Sequence, residues 1–270
     1  MNATRSIWAA LFLGAAFSVA AAQAQNAPDV PLDADIVVMG ELHDIALHHE
    51  NQSAWVTRMA PAAVVFEMLP PELAEIAEDM RGAETEALGA ALAWEERGWP
   101  DFPSYHPIFT ALGEARIYGA EVPRDDLSRA VSQGAAAVFG DGAERFLLDL
   151  DLPLEEQTLR EDLQDRAHCG LMPPEMLPGM VEVQRLRDAV LARTALTALN
   201  ETGGPVAVIT GNGHARTDWG VPAYLRAADP DVTVHAIGQV LPDDEAMPFD
   251  TRLSFAVDLS HRGDPCDALR

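Results

Sequence analysis

Apolar and polar positions along this chain fall into blocks. Five short apolar runs stand out: "DADIVVMGE" (Asp33 to Glu41), "AAVVFEML" (Ala62 to Leu69), "ARIYGAEVPR" (Ala115 to Arg124), "GPVAVITGNGH" (Gly204 to His214) and "VTVHAIGQV" (Val232 to Val240). Continuous β-branched runs of this length suit strands buried on both faces. Segments with helical spacing lie between them. "HHENQSAWVTRM" links the first two strands, "PELAEIAEDM" and "YHPIFTALGEA" the next two, and "DWGVPAYLRAA" the last two. The alternation predicts an α/β fold, a mostly parallel sheet with helices on both faces. From about 125 to 200 it stops, and "DDLSRAVSQGAAAVFG", "LEEQTLREDLQDRAHCG" and "PGMVEVQRLRDAVLARTALTALN" read as consecutive helices. They form a large helical insertion between strands three and four, packed over one edge or closing as a lid. "LSFAVDLS" (Leu253 to Ser260) is the expected final strand. No repeat or low-complexity linker divides the chain, so 25–270 is read as a single domain.

The first residues are set apart. Arg5 precedes an apolar run from Ile7 to Ala22, and Ala22 and Ala24 occupy the small-residue positions of a signal-peptidase site. The expectation is a cleaved secretory signal over 1–24 and a periplasmic or secreted product. No cysteine adjoins the site, so no lipoprotein anchor is expected. The two cysteines, Cys169 and Cys266, then favour a disulfide on compartment alone. The 18 basic residues are all arginine and face 43 acids, a net charge of −25. A chain this acidic repels phosphate backbones, which argues against nucleic acid as a partner.

The polar residues gain meaning once placed on this scaffold. Glu41 and His43 follow strand one, and Glu67 ends strand two. Pro123 and Arg124 follow strand three. Asn212, Gly213 and His214 follow strand four, and Gln239 falls near the end of strand five. Open α/β sheets bind ligands outside the carboxyl ends of their strands. Every strand thus offers a polar group where a site belongs. Glu67 sits in an apolar run, where a carboxylate is costly unless paired or ligating; an arginine such as Arg124 is the structural alternative. Asp44 is expected to cap the helix it precedes. Gly211 and Gly213 allow a tight turn before His214. His48 and His49 lie on the first helix, either as surface residues or at the rim of a site. His43, His214 and Glu67 have the chemistry of a divalent metal site, although no zinc spacing is present. With Glu41, the same residues suit acid-base hydrolysis. Gln184, Arg187 and Asp188 are polar positions on an apolar helix that point to the site or to solvent.

Together "GELHDIALHHENQ", "VVFEMLP", "YHPIF", "VPR", "AHCGLMPPEMLPGMVEVQRLRD" and "GNGHARTDWGVPAYL" resemble the ChaN-like haem-binding proteins, from about Val37 to Leu225. The resemblance implies haem as cofactor and a role in haem or iron uptake, with uptake partners at the outer membrane unidentified. It also implies a homodimer sandwiching two cofacial haems. In that mode a tyrosine of one subunit ligates iron and a histidine of the other contacts the propionates. Tyr105 in "YHPIF" and Tyr224 after "GVP" are the candidate ligands; a tyrosinate oxygen suits ferric haem. His48, His49, His214 and Arg124 are the candidates for propionate or cofactor contact. The family includes lipoproteins, and this chain lacks their lipid-bearing cysteine. A looser likeness to erythromycin-esterase-like hydrolases and TIKI metalloproteases keeps a second expectation open: a hydrolase using Glu41, His43, Glu67 and His214, with or without a divalent ion.

Overall fold

A computed structural model describes residues 27–260, 262–263 and 266–267. The signal-peptide reading of 1–24 lies outside the described residues. Six strands form one sheet: β1 (Ile36–Glu41), β2 (Ala63–Phe66), β3 (Arg116–Gly119), β4 (Val206–Gly211), β5 (Val234–Val240) and β6 (Thr251–Ser254). Their spatial order is β3-β2-β4-β1-β5-β6, and every pairing is parallel. The five apolar runs all became strands. The sixth strand begins two residues before the expected "LSFAVDLS" and ends inside it, because only Thr251 to Ser254 pair with β5.

Alternate residues of β1 split between two cores, as a strand covered on both faces requires. Val37 and Met39 pack with Val64, Phe66, Ala207 and Ile209 under α1 (Ala46–Met59), α2 (Pro71–Asp79), α3 (Thr85–Ala91) and α4 (Phe102–Ala111). Ile36 and Val38 pack with Ala63, Val65, Val206 and Val208 on the other face. That face is covered by α5 (Arg124–Gln133), α6 (Ala135–Phe139), α7 (Leu154–Ala167), the long α8 (Leu177–Thr202) and, beyond β4 and the short α9 (Asn212–Ala215), α10 (Val221–Ala228). The insertion between β3 and β4 is thus a complete layer built around α8, whose Leu186, Leu191 and Ala195 are buried against the sheet. Each such leucine contributes roughly 1.5–3 kcal/mol of burial. Cys169 and Cys266 form a disulfide that ties the end of the chain to the segment after α7. No helix among the described residues is long and apolar enough to cross a membrane.

The topology sets the site. The chain leaves β1 toward β2 on one side and leaves β4 toward β5 on the other, although β1 and β4 are neighbours. Loops diverging from adjacent central strands open a crevice at their carboxyl ends.

Candidate functional site

Glu41 ends β1 and is buried. Its Oε1 accepts hydrogen bonds from the Tyr105 hydroxyl of α4 at 2.5 Å and from His43 Nδ1 at 2.8 Å, with His49 Nε2 at 3.6 Å. The His49 ring lies against Tyr105, centroids 3.8 Å apart. Burial by itself would raise the Glu41 pKa, but the bonds and charges of His43 and His49 outweigh it and hold the acid well below the usual carboxylate range. Burial likewise opposes a charged His43, yet Glu41, with Glu67 and Asp44 behind it, raises the imidazole to about 9. His43 is therefore a cation at neutral pH. Burial and the Glu41 carboxylate both push the Tyr105 phenol far above its ordinary value.

A second group meets the first at the end of β4. Glu67 follows β2, and its Oε2 accepts from Thr210 Oγ1 at 2.6 Å and the Gly211 amide at 2.8 Å. Its other oxygen stands 3.5 Å from His214 Nε2, and His214 Nδ1 bonds Asp188 of α8 at 2.7 Å. Burial disfavours the charged imidazole, but Glu67 and Asp188 raise the His214 pKa. Burial raises Asp188 in spite of His214, and lowers neither acid: Glu67 is held down by the two histidine charges and its two donors. Gly211 lets the groups meet, since a Cβ there would lie 2.8 Å from His43 Nε2. Beside Glu67 opens a cavity of about 210 Å³ lined by Arg97, Trp99, Arg124, Leu127, Arg187 and Leu191. Arg97 pairs with Glu121 on its wall.

A second cavity, of about 240 Å³, lies on the other flank of α8. Arg187 and Leu191 of that helix face the first cavity; Arg185 faces the second. Its walls are mostly apolar: Phe146, Leu147, Leu150, Leu152, Trp219 and Ala223, with Tyr224 of α10 and Arg160 of α7. Tyr224, Arg160 and Arg185 are all nearly buried, at 7%, 6% and 5% exposed. Both guanidiniums act on the phenol by their charge. Burial and Asp188 raise the Tyr224 pKa, while Arg160 and Arg185 pull it down. The Nε atoms of both arginines are buried with no partner. Arg185 is anchored by Glu182 at 2.8 Å and by the carbonyls of Leu147 and Leu150 at 3.0 and 2.8 Å; Arg160 pairs with Glu156.

The structure gathers Glu41, His43, Glu67 and His214 at the strand ends as expected, and adds Asp188 and Tyr105. It does not put His48 or His49 at a rim, and it does not expose the candidate ligand Tyr105. All three are fully buried. His48 Nδ1 accepts the Leu42 amide at 3.0 Å, and burial lowers its pKa to about 4. Asp44 does not cap α1; Ile45 is at the cap position, and Asp44 pairs with Arg262 at 2.7 Å. Asn212 and Gln239 are consumed by structure, Asn212 bonding the Gln239 backbone and the Gln239 side chain bonding Gly40 and His48 carbonyls. Gly213 supports no close approach, as nothing lies within 4 Å of its Cβ position. Arg124 does not pair with Glu67, whose contacts are Thr210, Gly211 and His214. No group of three or more His, Cys, Asp or Glu among the described residues is arranged to hold a metal ion. In the expected divalent set of His43, His214 and Glu67, each histidine bonds a carboxylate through Nδ1, Glu41 at 2.8 Å and Asp188 at 2.7 Å, while His214 Nε2 stands 3.5 Å from Glu67. Arg160, Arg185 and Trp219 were not singled out in the sequence, because an arginine among acids on a helix reads as a solvated charge.

No curated protein sequence matches the chain. A solved structure titled cofacial heme binding to ChaN of Campylobacter jejuni superposes with a TM-score of 0.65 at 18% identity, covering 82% of this chain and 87% of that one. A mutant of the erythromycin esterase EreC in its open conformation gives 0.42 at 13% identity, over 77% and 71% of the two chains. The type III effector HopBA1 gives 0.43 at 11% identity, over 87% and 90%. The first likeness shows a shared fold; the other two are too loose to carry an argument. The family model described as haem-binding uptake, Tiki superfamily, ChaN matches residues 31–225. With its parallel sheet, its inserted helical layer and that match over most of its length, the chain belongs to the ChaN haem-binding uptake family of the Tiki superfamily.

Proposed function

We propose that this protein is an exported haem binder that takes ferric haem on the α8–α10 flank, where Tyr224 would hold the iron. The observation that carries the reading is the Tyr224 phenol beside two buried guanidiniums at the wall of one largely apolar cavity. The residues present fit the group. A phenolate is a hard donor for ferric iron, and Arg160 and Arg185 favour that phenolate by charge. Phe146, Leu152 and Trp219 supply apolar faces. Family membership supports haem as the ligand.

The cavity also says how such a ligand would lie. At about 240 Å³ it is smaller than the roughly 300–1,000 Å³ of pockets that enclose a drug-sized molecule. A porphyrin would rest one face over it and leave the other outward. Leu147, Leu150 and Leu154 stand exposed at 48%, 54% and 83% along that surface. A second copy of the chain would cover them together with the open face, a reading in keeping with the cofacial haems named for the Campylobacter jejuni protein. The Cys169–Cys266 disulfide supports an oxidising compartment, and the apolar run ending at Ala22 and Ala24 supports export.

The test is a haemin titration of the purified protein followed at the Soret band, with sedimentation of the loaded form. A saturable band, lost in Tyr224→Phe, and a loading-dependent dimer are expected. A band unchanged in that variant would remove Tyr224 as ligand, and the absence of any saturable band would overturn the haem reading.

A further inference from the structure

The described arginines follow a rule with four exceptions, two of which have no partner of any kind. Among the described residues nearly every guanidinium has an acid partner, as in Arg58–Asp29, Arg97–Glu121, Arg116–Glu201, Arg185–Glu182, Arg216–Asp218 and Arg226–Asp250. Arg193 stacks over Phe139 instead, and Arg252 bonds a backbone carbonyl. Among the described residues, only Arg124 and Arg187 have neither acid, carbonyl nor ring. With 43 acids available against 18 bases, unpaired guanidiniums are not a matter of scarcity. Both line one cavity, the one beside Glu67. They reach it from different elements, Arg124 from the first turn of α5 and Arg187 from the middle of α8.

Other donors share that wall. The Trp99 indole N–H and Arg97 Nη1 are buried without a partner. Trp99 also leans on His43, ring centroids 5.3 Å apart. The acids that face the same space have cationic neighbours of their own. Glu121 contacts Arg97, although its Oε2 makes no hydrogen bond, and Glu67 is bonded by Thr210 and the Gly211 amide with His214 beside it. Two free positive charges and unspent N–H donors around a space of about 210 Å³ make a receptor for a compact negative group.

We propose that the cavity at the strand ends binds a small oxyanion, a carboxylate or phosphate group, gripped by Arg124 and Arg187 with Trp99 as a further donor. This site is separate from the haem flank, because α8 stands between the two cavities and presents Arg187 to one and Arg185 to the other. The proposal does not depend on the haem reading. His43 stands behind Trp99, ring centroids 5.3 Å apart, with its Nδ1 bonded to Glu41.

Calorimetric titration of the haem-free protein with inorganic phosphate and, separately, with malonate at constant ionic strength tests this. One saturable site per chain is expected with at least one of the two, and comparing them tells which oxyanion the cavity prefers. Arg187→Gln and Arg124→Gln should each weaken binding about tenfold, the loss of one charge-assisted contact. Trp99 fluorescence should report the same curve, and Tyr224→Phe should leave it unchanged. Absence of saturable binding with both anions, or full affinity in both arginine variants, would overturn the proposal. So would loss of anion binding on loading with haem, which would assign the arginines to the haem's own propionates.

Discussion

Two tyrosines of this protein stand in opposite electrostatic surroundings. Tyr105 lies on the α4 side of the sheet, bonded to the Glu41 carboxylate at 2.5 Å and fully buried. Tyr224 lies on the α8 side, lining one cavity with Arg160 and Arg185, whose charges act on it. Burial raises both phenols, but a carboxylate adds to that rise and a guanidinium opposes it. The same side chain is thereby a structural hydrogen-bond donor in one place and a ligand in waiting in the other. Residue type and exposure do not separate them; the sign of the nearest charge does.

The comparison can be broken most severely at Asp188, the acid that stands behind both His214 and Tyr224. Asp188→Ala leaves a buried imidazolium with half its counter-charge. Urea unfolding should show a loss of about 3–5 kcal/mol. Tyr105→Phe is next. It strips the shortest donor from a buried carboxylate, with an expected cost of about 1–3 kcal/mol in the same assay, while leaving haem binding intact. Arg160→Gln removes one of the two charges that favour the Tyr224 phenolate, and haemin affinity should fall about tenfold with little change in stability.

The smaller effects concern protons. The His43 pKa is raised in the folded protein to about 9 from 6.5. Its stabilisation is therefore fully present below about pH 6.5 and is lost as pH rises through 9. Denaturation midpoints measured from pH 6 to 10 should fall across that window. In Glu41→Gln that fall should be largely absent, and the His43 titration followed by NMR should move down, since burial then acts without its counter-charge. A slope unchanged by Glu41→Gln would assign it to another group.

How much of this was legible in the sequence depended on the kind of signal. The strands were plain, because a run such as "AVITG" can only be buried on both faces. The meeting of Glu41, His43, Glu67 and His214 was also legible, since each follows a strand and strand ends converge in a parallel sheet. What stayed hidden was side-chain direction. His48 and His49 look like exposed helix residues, yet the helix turns both inward, where they cap the Leu42 amide and pack on Tyr105. Arg160 and Arg185 lie among acids on helices and look solvated, yet both are buried beside Tyr224. Local periodicity does not carry that information, because it depends on which layer each helix meets.

The central claim is that Tyr224, not Tyr105, supplies the iron ligand, and resonance Raman of the haemin-loaded protein tests it most directly. Iron-phenolate vibrations should appear in the wild type and in Tyr105→Phe, and should vanish in Tyr224→Phe. Vibrations that survive in Tyr224→Phe and vanish in Tyr105→Phe would contradict the account.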